Sequence, residues 1–111
     1  MSYNIIPIEK FKKEAKRLLK KYPSLKKELF ELERILLSNP TAGTPLGNDS
    51  YKIRIAIKSK NTGKSGGARV ITYVITDNRE VYLLSIYDKA DIDSVDDKTL
   101  RKIIQSIKNE L

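Results

Sequence analysis

The order of hydrophobic periodicities along the chain, β-α-α-β-β-β-α, predicts an α+β domain: an antiparallel sheet with an N-terminal αα-hairpin packed on one face and a C-terminal helix. Two helical stripes run in succession between residues 8 and 37. Three segments rich in β-branched and aromatic residues then fall between 51 and 87, and a last helical stripe closes the chain. With 111 residues, 40% of them hydrophobic, the chain has material for one core, so a single domain spanning 1–111 is expected.

The elements follow in order. Tyr3-Asn4-Ile5-Ile6 is short and β-prone, and Pro7 lacks a backbone donor, which suits an edge strand. From Ile8 the period lengthens. Ile8, Phe11, Ala15, Leu18, Leu19 and Tyr22 form one helical face, and lysines and Arg17 fill the others. Pro23 stops that helix and suits the first turn of a second, whose stripe is Leu25, Leu29, Leu32, Leu36 and Leu37. Asn39-Pro40 ends it. Residues 41–50 are turn formers and read as an ordered loop. Strands are expected over 51–58, 68–76 and 81–87, the last two joined as a hairpin through Asp77-Asn78. Asp96 or Asp97 can cap a final helix with its stripe at Leu100, Ile103, Ile104, Ile107 and Leu111.

Composition excludes whole classes of chemistry. The chain has no cysteine and no histidine, so disulfides, thiol nucleophiles, Ser-His-Asp triads and histidine-based metal sites are ruled out. Catalysis must use Lys, Arg, Tyr, Asp, Glu or backbone. The net charge of +8 is unevenly spread: residues 1–70 carry 16 basic and 6 acidic side chains, residues 71–111 carry 6 and 8. A local basic field of this kind attracts a polyanion. No apolar run approaches the ~20 residues of a membrane span, and Met1 to Lys10 lacks a signal-like core, so a soluble cytoplasmic chain is expected.

Gly63-Lys64-Ser65 invites a phosphate-loop reading, but position 58 is lysine where that loop needs glycine, and a strand rather than a helix follows. The glycines still permit a close approach of backbone to phosphate. Alternation along 51–58 puts Lys52, Arg54 and Lys58 on one side of a strand. Arg69 opens the next strand, and Ser85, Tyr87 and Lys89 share a face at the end of the last. Such a set is either the solvated side of an uncovered sheet or a phosphate-binding patch, and spacing alone does not choose. Asp88, Asp91, Asp93, Asp96 and Asp97 match no calcium loop and read as helix capping and solvation, so no metal or other cofactor is expected.

Three segments together resemble the RelE/ParE superfamily of bacterial toxins, in particular its HigB-like branch. They are Tyr51-Lys52-Ile53-Arg54, the run Gly63-Lys64-Ser65-Gly66-Gly67-Ala68-Arg69-Val70-Ile71-Thr72-Tyr73, and Tyr82-Leu83-Leu84-Ser85-Ile86-Tyr87-Asp88-Lys89. The likeness spans nearly the whole chain, including the basic helical hairpin and the Asn39-Pro40 to Leu46-Gly47 loop. It implies a microbial-ribonuclease-like α+β fold, a cognate antitoxin, and cleavage of messenger RNA in the decoding site of the 70S ribosome. It also implies that Lys52, Arg54, Arg69 and Lys89 hold the RNA and stabilise the cleaved phosphate. Some relatives use a tyrosine near the C-terminus for proton transfer. This chain has none between Lys89 and Leu111, so Tyr87 or Tyr73 takes that place, or no tyrosine does. Lys12, Lys13, Lys16, Lys20, Lys58, Lys60 and Lys64 are assigned to RNA and ribosome contact, with simple solubility as the other reading of the helical lysines. The ParE side of the superfamily offers an alternative, a gyrase-directed toxin without ribonuclease activity. A plain nucleic-acid-binding module is a second.

Overall fold

The computed structural model describes residues 3–60, 66–91 and 95–110. Its elements are β1 (Asn4–Pro7), α1 (Glu9–Lys21), α2 (Leu25–Ser38), β2 (Thr44–Gly47), β3 (Ser50–Ile55), a 3-10 turn at Lys58–Lys60, β4 (Ala68–Ile75), β5 (Glu80–Asp88) and α3 (Asp97–Glu110). The strands form one sheet in the order β1-β5-β4-β3-β2. Three of its pairings are antiparallel. The fourth, between β1 and β5, is parallel, because the helical hairpin carries the chain away after β1. β1 is an edge strand, as Pro7 requires.

The sheet has a core on each face. Phe11, Ala15 and Leu18 of α1 and Leu25, Leu32 and Leu36 of α2 pack with Val70, Val74, Val81 and Ile86 on one side. Leu100, Ile104 and Ile107 of α3 pack with Ile71, Tyr73, Leu84 and Tyr87 on the other. The cause lies in β4, which is buried from Ala68 through Val74 and so needs cover on both faces. Leu37, expected in the stripe of α2, is instead exposed.

Three local differences from the sequence reading bear on the site. The segment read as a loop over 41–50 contains β2, joined to β3 by a tight turn with Asn48 and Asp49 at positive φ. The strand expected to reach residue 58 stops at Ile55, because Ile57 turns under the helices and is fully buried. A bulge opposite Ile71/Thr72 resets the alternation of β5, so that Ile86 faces the helical hairpin and Tyr87 faces α3. Beyond Pro7, among the described residues, no strand pairs with the outer edge of β5. The Glu14 carboxylate covers it, accepting hydrogen bonds from Ser85 Oγ at 2.9 Å, Ile86 N–H at 3.3 Å and Lys10 Nζ at 2.7 Å.

Candidate active site

Register decides which cations meet. In the β3–β4 ladder Arg54 stands opposite Arg69, and in the β4–β5 ladder Arg69 stands opposite Tyr87. Directly paired residues point to the same face, so Arg54, Arg69 and Tyr87 form one row across three strands, on the face that α3 covers further along. Lys52 lies two residues from Arg54, on the same face. Lys89 follows Tyr87 by two residues, and its backbone N–H donates to Gly67 O at 3.0 Å, which ties the chain beyond β5 to the approach to β4. The row is graded in exposure. Arg54 is exposed, Lys52 and Lys89 are half-buried, and Arg69 and Tyr87 are only 4% and 2% exposed. Arg69 Nη1 donates to Ala68 O at 3.2 Å. A guanidinium shielded from water acts on a developing phosphate charge more strongly than one fully exposed to solvent.

Tyr73, the other tyrosine considered for proton transfer, lies four residues along β4 from Arg69, about 13 Å away at strand rise. Burial pushes its phenol above the ordinary range, with the Asp49 charge adding to the shift. Tyr82 is raised in the same way by burial and by Glu80, whose carboxylate accepts from its hydroxyl at 3.2 Å. Tyr87 is the tyrosine of the row.

The remaining basic positions are placed elsewhere. Lys12, Lys13, Lys16 and Lys20 are exposed on α1, in the layer across the sheet from the row, and Lys12 is 3.4 Å from Glu9. Lys58, expected on the same strand face as Arg54, has left the strand. It lines a groove of about 450 Å³ between α2 and β3, together with Lys27, Glu28, Ile35 and Arg54. Lys60 is committed to an ion pair with Asp88 at 2.6 Å. Lys64 and the Gly63-Lys64-Ser65 motif lie outside the described residues. Gly67 lies close against the Ile55 carbonyl of β3, where a Cβ would not fit.

Asp88, read from the sequence as part of a capping and solvated acidic stretch, is instead buried and ion-paired. Its carboxylate is 1% exposed and accepts from Lys60 Nζ, from Ala90 N–H at 3.0 Å and from Tyr22 Oη at 2.7 Å. Its partners lie 28 and 66 residues distant, and spacing does not reveal such contacts. Burial alone would raise its pKa, but the Lys60 ammonium, the Ala90 N–H and the Tyr22 hydroxyl together hold it below the usual carboxylate range. The sign follows directly. A depressed folded-state pKa contributes stability above the unfolded value of ~3.9 and loses it as pH falls through the folded value. Urea unfolding at pH 7 and at successive steps below pH ~4 should therefore show the native protein's advantage over Asp88→Asn shrinking on acidification. Asp96 caps α3, accepting from Lys98 N–H and Thr99 Oγ1, while Asp93 lies outside the described residues. Among the described residues no three Asp or Glu side chains gather to hold a metal ion, and no helix is long and apolar enough to cross a membrane.

No family model matches the chain. Among solved structures, a double arginine-to-alanine variant of E. coli toxin RelE in the free state superposes with a TM-score of 0.59 at 23% sequence identity, over 96% of this chain and 99% of that one. The isolated E. coli RelE toxin superposes with a TM-score of 0.54 at 24% identity, over 95% and 98%. The fold is therefore RelE-like, the match extending over nearly the whole chain.

Proposed function

We propose that this chain is the toxin of a type II toxin–antitoxin system, of the HigB-like branch, and an endoribonuclease that cuts messenger RNA on the ribosome. The observation that carries the reading is the Arg54–Arg69–Tyr87 row, with Lys52 on the same face of β3 and Lys89 two residues beyond Tyr87. RNA brings its own nucleophile, the 2′-OH. What the protein must supply is neutralisation of a dianionic phosphate, a route for two protons, and alignment. The two arginine forks and Lys89 serve the first. One aimed donor contributes about 2.7–4 kcal/mol in comparable sites, so this set accounts for much of the acceleration. Tyr87 and Lys52 are the groups this reading assigns to proton transfer. Alignment of the 2′-OH in line with the leaving oxygen is left to the ribosome, which bends the message; orientation of this kind is worth up to about 7–11 kcal/mol. The reading makes the whole chain one catalytic domain that works without metal or cofactor in the cytoplasm, held in check by a cognate antitoxin.

The test is incubation of purified protein with messenger RNA, with and without 70S ribosomes, followed by mapping of 5′ ends. New ends should appear only with ribosomes. Equal cutting of free RNA would remove ribosome dependence. Intact RNA together with inhibited DNA supercoiling would point to a gyrase-directed toxin, and intact RNA with retained ribosome binding to a module without catalysis.

The exposed α1 lysines provide the ribosome contact in this reading. Replacing Lys13, Lys16 and Lys20 together by alanine should leave the melting temperature nearly unchanged while lowering the slope of log affinity against log salt by about one for each phosphate no longer neutralised. Sedimentation with ribosomes across a salt series measures it, and an unchanged slope would return these lysines to a purely solubilising role.

A further inference from the structure

We propose that the buried Asp88–Lys60 pair positions the end of β5, holding Tyr87 and Lys89 in place for the reaction, and that Lys60 acts through Asp88 rather than by touching RNA. This rests on the ribonuclease reading above. Asp88 lies between those two residues in sequence and stands opposite Ala68 in the ladder, on the face turned away from the row. Three segments converge on its carboxylate: Tyr22 at the end of α1, Lys60 from the 3-10 turn, and Ala90 N–H from the turn that follows β5. Asp88 O accepts from Asp91 N–H in the same turn. The path of the backbone through Lys89 is thus set by its own N–H bond to Gly67 O and, on either side of it, by bonds to the Asp88 carboxylate and carbonyl.

Lys60 is itself fixed from behind. Ser24 and Ser59 exchange reciprocal bonds, with Ser24 N–H donating to Ser59 Oγ at 3.1 Å and Ser59 N–H to Ser24 Oγ at 3.0 Å. Lys58 N–H donates to Glu28 Oε2 at 2.7 Å, and Lys60 N–H to Ile57 O at 2.9 Å. The turn is therefore pinned to the start of α2, and it delivers the ammonium to Asp88 with the Tyr22 ring 5.5 Å away. The Lys60 side chain is 13% exposed. For its charge to reach a phosphate it would have to abandon a buried carboxylate, and an uncompensated buried charge is strongly disfavoured. The cation is spent inside the protein, and its effect reaches the site only through the strand end that it holds.

Positioning and direct contact predict opposite results. Lys60→Met and Asp88→Asn should each lower kcat on ribosome-bound message by about 10- to 100-fold per folded molecule, the range expected for a misplacement near 1 Å, with KM and salt dependence unchanged. The double variant should be no worse than either single by more than about threefold, because both remove one interaction. Lys60→Arg, which retains a cation, should recover most of the loss. Tyr22→Phe removes one bond from the carboxylate and leaves the ion pair, so it should give a smaller loss in a protein that still folds. A raised KM and a flatter salt dependence in Lys60→Met, with Asp88→Asn at or above the native rate, would overturn the proposal, and so would a native kcat per folded molecule in both single variants. Amide exchange at Lys89 and Ala90 gives a readout independent of activity. Faster exchange in Lys60→Met supports the pair as the holding element even if the native protein cuts no RNA, a result that would count against the ribonuclease reading alone. Unchanged exchange overturns the positioning role.

Discussion

Arg69→Ala is expected to lower the rate of messenger RNA cleavage on ribosomes by about 10²–10³-fold, the loss seen when one preorganised donor to a developing oxyanion is removed. Arg69 is the centre of the row, paired with Arg54 on one side and Tyr87 on the other. It is also nearly inaccessible to solvent, whereas Arg54 is exposed. Water and salt screen an exposed cation, so Arg54→Ala should cost markedly less than Arg69→Ala, and its cost should fall as salt is raised. Arg69→Lys keeps the charge but loses the planar fork, and should recover only part of the rate. Single-turnover cleavage with saturating ribosomes isolates the chemical step, and a thermal melt of each variant separates lost chemistry from lost fold. An Arg69→Ala protein that is folded and cuts at the native rate would remove the row as the catalytic centre. Growth arrest on induction should follow the same ranking, with Arg69→Ala harmless and Arg54→Ala still toxic.

The helices were legible because their signal is local: Leu18, Leu25, Leu32 and Leu36 fall at helical spacing and all are buried. The face shared by Lys52 and Arg54 was legible from alternation for the same reason. What alternation does not carry is register. That Arg54 meets Arg69, and Arg69 meets Tyr87, depends on where β3 ends and on the bulge in β5, both set by packing across the sheet. The apolar run through Ile57 reads as continuous strand, yet burial under the hairpin pulls Ile57 out of the ladder and takes Lys58 with it. β2 was hidden because Thr44-Pro45-Leu46-Gly47 buries none of its residues and contains both strand breakers. Lys60 read as a free cation because the carboxylate that neutralises it lies on β5 and meets it only after folding.

Gly67→Ala is the second large effect, and it arises from shape rather than charge. A Cβ at Gly67 would overlap the Ile55 carbonyl oxygen and come within 3.1 Å of Ala56 Cα, backbone atoms that cannot rotate aside. Ile55 forms the last pair of the β3–β4 ladder, so the methyl group must wedge β3 away from β4 beside the Arg54–Arg69 pair. It must also disturb the Lys89 N–H bond to Gly67 O. Overpacking of this kind costs about 1–3 kcal/mol, a drop of roughly 4–8 °C in melting temperature for each kcal/mol in a domain of this size. Gly47→Ala is the matched control. Nothing lies within 4 Å of its added Cβ, but its φ of +88° strains any side chain, at a cost of about 1–2 kcal/mol. Both variants should melt earlier. Only Gly67→Ala should also lose cleavage per folded molecule, because its strain is delivered to the strand end that sets the row. Equal activity in the two folded variants, measured below both melting transitions, would show that the spacing of β3 and β4 at Arg54 and Arg69 is irrelevant to the chemistry.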